Sequence, residues 1–225
     1  MGRCGIICCV DFGGIDPIFL LISIAVLLFS LSIHESAHAW TADWLGDSTG
    51  RDLGRVTLNP LAHIDPIGSL LFPLLGFLSG GVIFGWAKPV PVNTRLLKNP
   101  KKDHVLIAAA GPASNVTAAL VFLVGLKTMI LLDPSLASDG HTLYPLFLVF
   151  YLGLIINVIL AVFNVIPIPP LDGSWILSGL LPENLSVLFD RIRPYGFMLL
   201  MLLLFSGALG EILGPVLGFV RGLVF

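Results

Sequence analysis

Residues 32–40 read SIHESAHAW, and the seventeen residues before His34, Pro17 to Ile33, carry no charge. His34 and His38 stand at i and i+4. A helix turns once per 3.6 residues, so both imidazoles project from one face, one turn apart. That spacing suits two adjacent ligands of one tetrahedral Zn²⁺. Glu35 is rotated by about 100° from His34 and can reach a water on the metal instead of the metal. Zinc lowers the pKa of such a water from 15.7 to about 7. Glu35 can then accept the proton as the oxygen attacks a peptide carbonyl, and return it to the leaving amine.

The whole chain has five His and three Glu, so composition alone rarely writes H-E-x-x-H. A lone Glu at the centre of a membrane span costs about 2.5 kcal/mol or more, which makes an ionisable residue there a functional candidate. Two blander readings stay open. One is a buried His–Glu network that ties helices together. The other is a structural zinc, which would want four protein ligands. Cys4, Cys8 and Cys9 precede the span and belong near its opposite face, so they are poorly placed to supply them.

A catalytic zinc needs a third protein ligand. His63, in LAHIDP, is close in sequence to the motif and could contribute; His104 and His141 sit at span ends or in loops and read as solvated. Asp172, in NVIPIPPLDGS, is the stronger candidate: it is the only carboxylate between Asp139 and Glu183, and it directly follows a long apolar run.

The elements that must position these groups are membrane helices. The chain of 225 residues is 56% hydrophobic and 12% charged, with a mean hydropathy of +0.97; a soluble domain is nearer a quarter charged. This composition predicts an integral, multi-pass membrane protein, in the cell membrane if the source is prokaryotic, with the lipid bilayer as its surroundings. A net charge of −2 and the lack of a long basic run exclude a phosphate-tracking surface, and so a nucleic-acid partner. The expected fold is an all-α polytopic bundle with a re-entrant segment and short extended pieces.

Residues 1–16 read as a tail, without a cleavable signal peptide or a myristoylation signal. A core over 17–180 holds spans at 17–45, 104–132 and 143–165, together with an apolar segment at 67–86 broken by Pro73, Gly76, Gly80, Gly81 and Gly85. A C-terminal region, 181–225, holds a span at 195–220. GRVTLNP and WAKPVPVN, residues 86–93, read as extended; the prolines of the second confine it to a sheet edge or groove wall.

Basic residues set the orientation. Arg51 and Arg55 follow the first span, and Lys88, Arg95, Lys98, Lys101 and Lys102 precede the third. Arg191 and Arg193 precede the last, whereas DPSLASDGH between the third and fourth has no Lys or Arg. Basic loops stay in the cytoplasm. The first and fourth spans therefore run inward and bring His34, His38 and Asp172 to one depth. Both flanks of 67–86 are basic, so it should leave and return on one side. Were it a single crossing, Asp172 would lie about 30 Å away on the other face.

Pro167, Pro169 and Pro170 cannot continue a helix and leave carbonyls unpaired. Unwound backbone at membrane depth is tolerated where it lines a wet cavity. A protease needs such a surface, because a helical substrate must be drawn out before its carbonyl can be attacked, and exposed strand edges could hold it by β-addition. Asn164 could hydrogen-bond the substrate or the oxyanion, or equally satisfy the broken helix end.

Three patches, in order HESAH (34–38), AGPASN (110–115) and FNVIPIPPLDG (163–173), make the chain resemble the site-2 proteases, a family of intramembrane zinc metalloproteases. The resemblance implies a core of three transmembrane helices, zinc on His34, His38 and Asp172, and Glu35 as general base. It implies cleavage of transmembrane protein substrates near the cytoplasmic face, with Asn164 assisting substrate or transition-state binding. Gly111 and Pro112 match a helix-start motif and read as structural; Asn115 is given no role. No PDZ-like insertion is seen. Two rival functions keep the same residues: an ion or proton transporter with His34, Glu35 and Asp172 along its path, and a catalytically inactive scaffold that binds no metal.

Overall fold

A computed structural model describes residues 17–72, 74–75 and 86–225. The tail with Cys4, Cys8 and Cys9, and residues 73 and 76–85 of the segment 67–86, lie outside the described residues.

Helix α1 runs Pro17–Leu45. Pro17 suits a first turn, whose N–H groups have no intrahelical partner, and no Gly or Pro follows until Gly46. Gly46 stops the helix with φ at +112°, a backbone region that strains any residue with a Cβ. The Asp47 N–H then closes back onto the Ala42 carbonyl at 2.9 Å. Trp40 and Trp44 are exposed near this end, where aromatic residues mark a membrane–water boundary.

Helix α2 runs Pro100–Leu132, starting one turn before the expected span. The Asp103 carboxylate accepts from the Asn99 N–H at 2.8 Å while the Asp103 N–H returns to the Asn99 carbonyl at 2.8 Å, a reciprocal lock on the helix start. Gly111 and Pro112 therefore lie about three turns inside α2, not at its start. Helix α3, Tyr144–Val165, ends at the proline-rich turn. Then follow α4 (Asp172–Leu180), α5 (Glu183–Asp190), α6 (Gly196–Phe205) and α7 (Ala208–Val224).

The all-helical bundle expected from the sequence is what forms: no strand occurs among the described residues. Helices α1, α2 and α3 are each long and apolar enough to cross a membrane. Glu183–Phe205 and α7 pass the same test as a pair, bent by 64°. The stretch 195–220 is thus divided, because Gly207 takes φ of +78° between α6 and α7.

Helices α2 and α3 pack most closely. The Phe150 ring fills the place where Gly125 lacks a side chain, and the Phe122 ring does the same at Gly153. The two rings meet edge to face with centroids 5.8 Å apart. Small residues facing large ones let backbones approach where no hydrophobic force separates helix from lipid. Val220 and Val224 of α7 join Leu126 and Leu154 in this core.

The described ends of segment 67–86 meet. The Trp86 N–H donates to the Gly68 carbonyl at 3.1 Å, and the Ser69 hydroxyl donates to the Trp86 carbonyl at 2.8 Å. A single crossing would part these ends by about 30 Å, whereas here they are hydrogen-bonded to each other. Residues 86–93 then run without regular structure beside the C-terminal half of α1. The Lys88 N–H donates to the His63 carbonyl at 2.8 Å, and the Asn93 N–H to Asp47 Oδ2 at 2.6 Å.

Single-cysteine variants at Asp65, Lys88 and Asp139, made with Cys4, Cys8 and Cys9 replaced by serine, test this path. An impermeant thiol reagent should label 65 and 88 from one side of sealed vesicles and 139 only from the other. Labelling of 65 and 88 from opposite sides would contradict it.

Candidate metal centre

The site assembles from α1 and α4 against α2. His34 and His38 are 4% and 8% exposed, and their rings meet edge-on at 4.7 Å. Asp172, at the first position of α4, points between them. Its Oδ2 is 3.0 Å from His34 Nε2 and 3.4 Å from His38 Nε2, and the two Nε2 atoms are 3.1 Å apart. With bonds of 2.0–2.1 Å to N and O, a tetrahedral ion has ligand–ligand edges of about 3.3 Å. The triangle found is of that size.

The protonation pattern makes the same point. His34 Nδ1 lies 2.6 Å from Asn115 Oδ1, and His38 Nδ1 lies 2.7 Å from the Ile107 carbonyl. Both partners only accept, so each Nδ1 carries a hydrogen and each ring turns its Nε2 inward, the atom a metal would take. Asp172 Oδ2 is buried without a hydrogen-bond partner. Two imidazole nitrogens and a carboxylate oxygen thus face one another in a dry place, an arrangement that favours a cation among them. The residues fit a divalent metal with nitrogen and carboxylate ligands, and they are the only such group among the described residues.

Polar residues inside the bundle hold the His34 ring from behind. Asn115 Nδ2 donates to Asn157 Oδ1 at 2.8 Å, and Asn157 Nδ2 donates to the Ser30 hydroxyl at 2.8 Å and to the Gly153 carbonyl at 2.8 Å. Ser30 is back on α1, one turn before His34. Asn115, Asn157 and Ser30 are all fully buried. The chain His34–Asn115–Asn157–Ser30 therefore runs through α1, α2, α3 and back, fixing ring orientation as metal sites require. Asn157 was not singled out from the sequence. As an amide within the apolar run 152–163 it had a signal of its own, since polar residues within spans are seldom idle.

Two glycines make room. A Cβ on Gly111 would overlap both the His38 and His34 rings, and one on Gly173 would overlap the Val165 and Ile166 carbonyls. Gly111 thus borders the site itself. Gly173 lets α4 start directly against the end of α3, and so places Asp172.

Glu35 stands apart from the triangle. Its Oε2 accepts the Val90 N–H at 3.1 Å, which pins one carboxylate oxygen to the segment 86–93. Asn164 is half-buried, and its Nδ2 donates to the Leu160 carbonyl at 2.9 Å. His63 is buried but turns elsewhere: its Nε2 donates to the Thr57 carbonyl at 2.9 Å. His104 is not simply solvated, since its ring packs on Trp175 at 4.5 Å. His141 pairs loosely with Asp133 at 3.5 Å, at the far end of α2.

Comparison with known proteins agrees with this site. The family described as Peptidase family M50 matches residues 135–206, which take in α3, the proline-rich turn and Asp172. "Putative zinc metalloprotease YwhC" of Bacillus subtilis is 34% identical over 194 residues, 86% of this chain and 84% of that protein. Rip2 of Mycolicibacterium smegmatis, named in the same terms, is 34% identical over 198 residues, 86% of this chain and 70% of its own. MJ0611 of Methanocaldococcus jannaschii, also so named, is 34% identical over 107 residues, 47% of this chain and 50% of its own. No solved structure matches. Matches that cover 86% of the chain necessarily take in both HESAH and Asp172, and with them the chain belongs to peptidase family M50, the site-2 protease family of zinc metalloproteases.

Proposed function

We propose that the chain is an intramembrane zinc endopeptidase that hydrolyses peptide bonds of transmembrane protein substrates near the cytoplasmic face of the membrane. The observation that carries this reading is the convergence of His34 Nε2, His38 Nε2 and Asp172 Oδ2, at 3.0–3.4 Å. These three atoms would hold the metal. Zinc there supplies a Lewis acid that makes a water nucleophilic near neutral pH.

The remaining steps belong to the chain's own residues. Glu35 follows His34 directly on α1, and the Val90 N–H fixes its Oε2. That bond orients the carboxylate and leaves its other oxygen to take the proton from the attacking water and pass it to the leaving nitrogen. Asn164 uses one amide hydrogen on Leu160 and has a second for a substrate carbonyl or the oxygen that gains charge. The buried amide network holds the His34 ring, while the Ile107 carbonyl holds the His38 ring. Basic residues beyond the C-terminal end of α1 support a site at the cytoplasmic side.

Purified protein and a designed transmembrane substrate test the reading. Glu35→Gln should keep its zinc, because the ligands are intact, and lose cleavage by a factor of about 10² or more. Cleavage that survives this change sinks the proposed role of Glu35.

Asp172→Ala should lose zinc as measured by metal analysis, since one of three ligands is gone. Full occupancy would move the third ligand elsewhere.

Asn115→Ala should weaken zinc binding by about 10–100-fold, the range for removing a partner behind a ligating histidine. Asn164→Ala, outside that network, should leave zinc affinity as it is.

A further inference from the structure

Beside the extended segment 86–93 lies a cavity of about 530 Å³ lined by Leu53, Arg55, Ala62, Lys88, Pro89 and Pro91. Arg55 is 6% exposed. Its guanidinium forms no ion pair among the described residues. It makes hydrogen bonds through one nitrogen only, Nη1, to the carbonyls of Ala62 and Lys88. Nε and Nη2 have no acceptor among the described residues, and the fork lines the cavity.

A buried guanidinium without a countercharge is costly, and its planar fork matches a carboxylate. Lys88 brings a second positive charge to the cavity wall; its side chain is exposed and has no ion pair among the described residues. Leu53, Pro89 and Pro91 give the rim an apolar lining and are also exposed. The floor is cationic and the rim apolar, as fits an acidic side chain flanked by apolar residues on an extended peptide. Position favours a peptide over a lipid headgroup. Val90, between the two lining prolines, is the residue whose N–H binds Glu35, so the segment that walls the cavity also holds the proposed catalytic carboxylate.

Resting on the protease reading above, we infer that the Arg55–Lys88 cavity is a specificity subsite that binds an acidic side chain of the substrate, close to the bond that is cut.

The test measures binding and cleavage separately. Full-length Glu35→Gln protein in detergent is photo-crosslinked to transmembrane peptides that carry one Glu, Gln or Lys at successive positions along the juxtamembrane stretch. The expected result is one position where Glu is captured about tenfold better than Gln, the scale of one charge-assisted contact. Lys88→Glu should abolish or invert that preference and favour the Lys peptide. Arg55→Lys, which keeps the charge and loses the fork, should reduce it.

Equal capture of Glu and Gln peptides at every position would overturn the inference. So would a preference that neither variant changes, since the acid would then be read elsewhere. A preference erased by added phosphatidylglycerol would assign the cavity to a lipid headgroup and also overturn it. Cleavage by the wild type distinguishes the two readings. A Glu preference in capture with no cleavage sinks the protease reading and keeps the subsite. Cleavage without a preference does the reverse.

Discussion

Two imidazole nitrogens and a carboxylate oxygen brought within 3.4 Å of one another in a dry bundle set the terms for the rest of the structure. Bringing them together is unfavourable without a cation, so the surroundings must hold each ring and the carboxylate against relaxing apart. Both imidazoles are gripped from behind by carbonyl oxygens, which fixes their tautomer as well as their direction. Asn115 needs its own partner to keep its oxygen aimed at His34, and Asn157 provides it. Asn157 in turn closes onto Ser30 of the helix that carries the histidines. Buried amides of this kind would be a penalty in lipid if any hydrogen bond were missing. Satisfied as they are, they bind three helices into one frame.

The second requirement is depth. Two ligands come from near the end of α1 and the third from just past the end of α3, with more than 130 residues between them. Both helices must therefore deliver their ends to one side. Between them the chain crosses through α2, so any other excursion has to return to where it began. The bonds from Trp86 to Gly68 and Ser69 close that excursion. The glycines settle the last few ångströms: Gly111 yields its side-chain volume to the imidazoles, and Gly173 lets α4 begin against the α3 carbonyls.

Much of this was legible in the residues. Apolar runs bounded by Pro and Gly gave the long helices α1 and α3 nearly to the residue, because lipid leaves the backbone few alternatives to a helix. The metal triangle was legible because charge is scarce in such a chain, so each carboxylate stands out. The break at Gly207 was not: 195–220 is apolar apart from Ser206 and Glu211, and hydropathy says nothing of a left-handed glycine. The position of Gly111 was misjudged for a related reason. α2 begins at Pro100 among lysines, where the hydropathy is low but the Asn99–Asp103 lock still sets a helix start. Asn157 was overlooked because one amide in an apolar stretch carries no motif, although its environment marked it. Asp47 was missed likewise: fully buried, it anchors Thr49 and Asn93, a role that depends on a partner distant in sequence.

The segment 86–93 shows how proline can shape a site rather than interrupt it. The sequence reads as an edge open to an extended substrate by strand addition, and the hydrogen bonds narrow that idea. Pro89 and Pro91 have no N–H to give. Of the N–H groups at 88, 90 and 93, each is committed inward, to the His63 carbonyl, to Glu35 and to Asp47 respectively. Only the Val92 N–H, between 88 and 93, takes no acceptor among the described residues. A continuous ladder cannot form on such a segment, which explains why no strand occurs there. What remains is a wall fixed at three points, of which Glu35 lies on α1 and Asp47 just past its end, with one donor free and a cationic cavity beside it. A substrate chain laid along it would be held by few backbone bonds, so its side chains, more than its main chain, must decide how well it binds.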